Sequence, residues 1–134
     1  RSNYSRCYHC KYNERYSSKV DNKRTVSHTM KIYFIYVTFG SLKEAKRLGG
    51  KLVKNKLAAC TNIIPTIYST YVWKKKIMTD KEFSMIVKTS KSKVKKAIKF
   101  IVNQHSYECP AVSAFPIESA HTDFQKWINE QTKS

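Results

Sequence analysis

An α+β domain with its elements in the order β-α-β-β-α-β, closed by a further short helix, is predicted by three observations on the sequence. A β-rich apolar run, KIYFIYVTF, is followed by a helical stripe; two long strand-like runs then adjoin each other; and a second helical stripe leads into the polar stretch NQHSYECPAV. Alternation with a period of two marks strands, whereas apolar residues at i, i+3 and i+4 mark helices.

The first strand starts near Lys31. After it, Ser41 and Glu44 form an S-x-x-E capping box, and Leu42, Ala45, Leu48, Leu52 and Val53 follow at helical spacing. Gly49 and Gly50 interrupt that helix at about 1 kcal/mol each relative to alanine, which implies close packing against another element. The runs CTNIIPTIYSTYVWKK and KEFSMIVKTSK read as an antiparallel hairpin with KKIMTD as its polar turn. Ile67, Ser69, Tyr71 and Trp73 fall on one face of the first of these strands, and Tyr68, Thr70 and Val72 on the other. Pro65 has no N–H to donate to a ladder and is expected at an edge or bulge.

The second helix carries Val94, Ala97, Ile98, Ile101, Val102 and His105 on one stripe, with lysines opposite. PAVSAFPIE reads as the last strand, and HTDFQKWINEQ as a closing helix presenting Phe124, Trp127 and Ile128. This order is the ferredoxin-like arrangement, which hosts many unrelated functions.

Residues 1–30 hold four arginines and three lysines against two acids, with Val20, Val26 and Met30 as their only aliphatic residues. Such a segment buries too little apolar surface to offset its ordering entropy. It is expected to be a disordered leader or a transit-peptide remnant, ahead of a folded domain over 31–134. The expected location is cytoplasmic, or a plastid or other organelle in the transit-peptide case. No apolar run approaches the roughly 20 residues of a membrane helix, so no membrane insertion is expected.

Cys7, Cys10, Cys60 and Cys109 are too scattered for a disulfide framework. The CYHC stretch lacks a second ligand pair at zinc-site spacing. Cys60, between apolar neighbours, is expected in the core.

A formal net charge of +17 raises nucleic acid as a partner. Lysine outnumbers arginine 21 to 5, however, and bidentate phosphate recognition prefers arginine. The third strand also lacks the aromatic signature of RNA-recognition folds. Nucleic acid is thus an unexpected partner, and an RNA-binding module using the basic surface is the rival reading. With no G-x-S-x-G, P-loop or H-E-x-x-H motif, no enzyme is expected.

His105, Glu108 and Cys109 combine an imidazole, a carboxylate and a thiol, a set that suits Zn²⁺ or Cu²⁺ when all converge. In an extended segment Glu108 would point away from Tyr107 and Cys109. The competing reading is that His105 and Glu108 cap and pin a turn.

Five stretches together resemble the CutA divalent-cation tolerance family: KLAACTNIIP, STYVW, KEFSMIVKTS, HSYECP and FPIESAHTDFQKWI, in order between Lys56 and Ile128. The resemblance spans about Lys31 to Gln131. It implies a homotrimer paired through the long hairpin, with Tyr68, Tyr71 and Val72 at the trimer interface. It also implies divalent metal as partner, Cu²⁺ first, with His105 and Glu108 as metal residues and no metal required for folding. Lys88, Tyr107 and Trp73 would line an inter-subunit cleft, which in a PII-like variant would hold a small anionic ligand. The chain departs from the family pattern at Ser106, which replaces a proline, and at Ala111, which replaces a glutamate. Lys74 and Lys75 follow Trp73 where a glycine is usual, and Ala120, Phe124 and Val37 are further departures.

Overall fold

The computed structural model describes residues 30–134, so the expectations for residues 1–29, the CYHC stretch included, lie outside the described residues. Four strands, β1 (Ile32–Phe39), β2 (Cys60–Trp73), β3 (Lys76–Ser90) and β4 (Val112–Pro116), alternate with α1 (Leu42–Lys54) and α2 (Val94–Gln104), and α3 (Thr122–Gln131) closes the chain. The sheet is antiparallel with order β2-β3-β1-β4. This is the ferredoxin-like topology.

One sheet face carries the main core. Ile35, Val37 and Phe39 of β1 and Met85 and Val87 of β3 pack against Ala45, Leu48 and Leu52 of α1 and Ala97 and Ile101 of α2. Alternate β1 residues point the other way, where Ile32 and Phe34 meet Ile128, Phe124 and Trp127 of α3. The helix stripes are narrower than their spacing predicts, because Val53 and Val102 at their margins remain exposed. Gly49 has the expected packing role: an added Cβ would lie 2.9 Å from Thr61 Oγ1 and 3.1 Å from Met85 Sδ. Gly50 faces open space.

Helix α1 ends in a Schellman motif. Lys56 adopts φ 56°, its N–H reaches the Val53 carbonyl at 3.1 Å, and the Leu57 N–H reaches the Leu52 carbonyl at 2.9 Å. Glycine normally fills that left-handed position, so its absence hid the stop signal.

The largest departure from expectation is the hairpin. KKIMTD is not its turn: only Lys74 and Lys75 turn, and β3 begins at Lys76. Both turn residues have positive φ, 48° and 64°, as a two-residue type I′ loop requires. Asparagine and glycine favour that conformation and lysine does not, so nothing in the sequence flagged so tight a turn. Ile77 and Met78 thereby become strand residues. The register shift between Ile64 and Ile67 spans Pro65, which confirms the bulge expected there. Strand β1 accompanies β3 only as far as the Phe39–Phe83 pair, while β2 continues with β3 to the Trp73–Lys76 pair. The hairpin end therefore projects beyond the rest of the sheet.

Candidate functional site

The polar stretch is built where α2 ends beside the end of β1 and the start of α1. His105 follows the last residue of α2 with an extended backbone, φ −76° and ψ 142°. Its ring is buried and stacks on Phe39, with centroids 4.7 Å apart and planes 12° apart. The ring Nε2 lies 2.7 Å from the Thr38 carbonyl oxygen, and the Tyr107 N–H donates to Nδ1 at 3.0 Å. A carbonyl only accepts and an amide N–H only donates, so the Nε2–H tautomer is the one that satisfies both contacts. Neither nitrogen keeps a lone pair free for a metal.

Glu44 gathers the following residue. The capping box is half made: Ser41 Oγ accepts from the Glu44 N–H at 3.1 Å, but the Glu44 carboxylate turns toward the α2 end instead of back to the cap. It accepts the Ser106 N–H and the Ser106 Oγ–H, each at 2.8 Å. A proline here would offer neither donor. Glu44 Oε1 also lies 3.8 Å from His105 Nδ1.

Tyr107 completes the cluster. Its ring tilts against His105 at 4.8 Å, and its hydroxyl donates to Glu82 Oε1 at 2.9 Å. Gly40 makes room for it, since a Cβ there would lie 3.0 Å from the Tyr107 hydroxyl. Burial first, and then the Glu82 hydrogen bond, raises the Tyr107 phenol well above its ordinary value. The cluster thus ties α1, β1, β3 and the end of α2 into one hydrogen-bonded latch.

Residues 106–109 form a bend, and β4 starts only at Val112, so strand alternation does not govern Glu108 and Cys109. Both are exposed. Among the described residues no three His, Cys, Asp or Glu side chains are grouped so as to hold a metal ion. Cys60 is half-buried at the start of β2, short of the full burial expected for it.

Lys88 and Trp73 lie elsewhere. The Lys88 ammonium stands over the Phe34 and Phe124 rings, 5.6 and 5.5 Å from their centroids, a doubled cation–π contact. No ion pair joins it to Glu108 among the described residues. Trp73 lies at the hairpin tip, 58 % exposed. One chain therefore brings His105 and Tyr107 together and leaves Lys88 and Trp73 apart from them. Sequence reasoning missed Glu82 and assigned Glu44 only a capping role. The S-x-x-E spacing told where Glu44 starts but not which way its carboxylate turns.

Residues 33–131 match the family described as CutA1 divalent ion tolerance protein. A relative named divalent-cation tolerance protein CutA, from Archaeoglobus fulgidus, is 44 % identical over 97 residues, covering 72 % of this chain and 94 % of the relative. A rice (Oryza sativa subsp. japonica) relative named protein CutA 1, chloroplastic, is 34 % identical over 117 residues, covering 87 % of this chain and 66 % of the relative, so the match spans just under two thirds of that longer protein. Among solved structures, CutA1 from Ehrlichia chaffeensis superposes with a TM-score of 0.75 at 34 % identity, covering 77 % of this chain and 96 % of the other. The rice CutA1 structure gives 0.75 at 35 %, covering 78 % and 96 %.

Proposed function

This chain belongs to the CutA1 divalent ion tolerance family, and from that premise we propose that it serves divalent-cation tolerance as a homotrimer whose ligand cleft lies between copies. The observation that carries this reading is the projecting end of the β2–β3 hairpin. Tyr68, Val72, Trp73 and Ile77 are 75 %, 69 %, 58 % and 78 % exposed there, and Val72 pairs directly with Ile77. A two-stranded ribbon is marginal by itself in water, and large apolar side chains gathered on one mark a surface that another chain covers. Tyr71, at 42 % exposure, extends the same surface.

Pairing of hairpins between copies supplies a reason for Lys88, Tyr107 and Trp73 to act together, since within one chain they do not meet. The proposed ligand is a divalent metal ion, Cu²⁺ first, taken up at the exposed Glu108 carboxylate. His105 would join as a ligand only by releasing the Tyr107 N–H from its Nδ1. Its proposed part is therefore to hold the turn that presents Glu108. Folding needs no metal in this reading, because the core is apolar.

Sedimentation equilibrium, followed in the same cells by Cu²⁺ and Zn²⁺ titration, tests both halves of the reading. The expected result is a trimer that takes up metal stoichiometrically, with uptake reduced in Glu108→Gln. A trimer indifferent to metal would turn the cleft over to a small anionic ligand, and a monomer with salt-sensitive RNA binding would replace the reading altogether.

The rice and Arabidopsis thaliana relatives are both named chloroplastic. The basic, acid-poor residues 1–30 suit an organellar address in this chain too. A fluorescent fusion carrying residues 1–30 tests that; uniform cytoplasmic signal would favour the cytoplasmic alternative.

A further inference from the structure

We propose that the groove between the start of α2 and the end of α3 binds a small oligophosphate-bearing ligand. The groove is open to solvent and offers about 650 Å³, a volume within the range of small-molecule sites. Its rim carries Lys93, Lys96, Lys126 and Lys133 against a single acidic side chain, Glu130. These ammonium groups come from two separate segments, the start of α2 and the stretch from α3 to the residues after it, and holding them around one cavity costs repulsion that an anion would relieve. Lys93 already reaches across the groove, donating from Nζ to Ser134 Oγ at 2.6 Å.

The floor is polar and ordered. Thr132 and Ser90 are 2 % and 4 % exposed, and Thr132 Oγ1 lies 2.9 Å from Ser90 Oγ. Ser90 Oγ in turn lies 3.2 Å from Ser92 Oγ. The Thr132 hydrogen goes to the Ile128 carbonyl at 2.9 Å, so Ser90 donates to Thr132 and its own oxygen is left to accept from Ser92, which fixes this floor beneath the lysines.

The first turn of α2 adds to the same field. It has no side-chain cap and no acidic residue, and Lys95 and Lys96 occupy it. Cations at the positive end of a helix dipole are unfavourable, a cost that a bound anion would offset. The four ammonium groups match phosphate oxygens, which lysine serves as a point charge. Among the described residues no aromatic side chain lines the groove, so these walls offer no platform for stacking nucleobases. A phosphate chain fits these walls better than RNA.

Calorimetric titration of the intact chain with sodium tripolyphosphate at physiological salt tests this. The expected result is saturable binding, one per chain, weakened by roughly tenfold or more in Lys93→Gln/Lys126→Gln. The charge-matched pair Lys74→Gln/Lys75→Gln, in the hairpin turn, should leave it unchanged. Absence of saturable binding, or equal loss in the two lysine pairs, would assign any attraction to bulk charge and overturn the proposal.

Discussion

His105 Nε2 lies 2.7 Å from the carbonyl oxygen of Thr38, joining the end of α2 to the end of β1 across 67 positions of sequence. Both residues are buried, so neither group has water to fall back on. His105→Ala should therefore destabilise the fold by about 3 kcal/mol, from an unsatisfied carbonyl, a lost Tyr107 contact and the vacated stack on Phe39. Urea unfolding at one fixed protein concentration measures this, since the proposed self-association would make stability concentration-dependent. A loss below about 1 kcal/mol would show that the latch carries little weight.

Glu44→Ala removes the acceptor for both Ser106 bonds and a favourable charge in the first turn of α1. The expected cost is about 1–2 kcal/mol. Hydrogen exchange at the Ser106 amide should accelerate more than at the α1 amides. Uniform acceleration would place the effect on the helix rather than on the latch.

Tyr107 gives the protein an alkaline signature. Its phenol is raised above 10.0, so the folded chain holds this proton more tightly than the unfolded chain does. The resulting stabilisation is whole below about pH 10 and is lost as pH rises beyond it. Tyr107→Phe should make the alkaline decline in stability shallower but not flat, because the hydrogen bond to Asp80 also raises Tyr71. Unfolding curves taken in steps upward from about pH 9 check this; identical slopes in the two proteins would count against it.

The hairpin turn is strained at Lys74 and Lys75, both at positive φ. Replacing the pair with Asn-Gly, as K74N/K75G, should stabilise the protein by about 1–2 kcal/mol, because those residues accept the left-handed conformation that lysine resists. Thermal unfolding reports it directly. A fall in stability would mean that the lysines make contacts that outweigh their strain.

Trp73→Ala should weaken self-association by a few kcal/mol, as loss of a large interface aromatic does, and Ile77→Ser should act in the same direction. Sedimentation equilibrium at decreasing concentration measures the shift. An assembly state unchanged in both variants would remove the hairpin end from the interface.

Local signals in the sequence determined the elements. The period-two runs, the Ser41 cap, the stripe through Leu48, Leu52, Ala97 and Ile101, and the bulge at Pro65 are all properties of near neighbours, and each recurs in the structure. The tight Lys-Lys turn was not legible, because its residue types contradict its backbone, and so Ile77 was hidden within an apparent loop. For the polar stretch, the sequence named His105 and Tyr107 but assigned their partners by spacing alone. Thr38, Glu44 and Glu82 are 67, 62 and 25 positions from the groups they bind. Only tertiary packing decides such pairings, because a side-chain hydrogen bond depends on distance in space and a burial that forms when α1, α2 and the sheet close together. The same holds for the lysine groove, whose charges are dispersed along the chain and are concentrated only where α2 begins beside the end of α3.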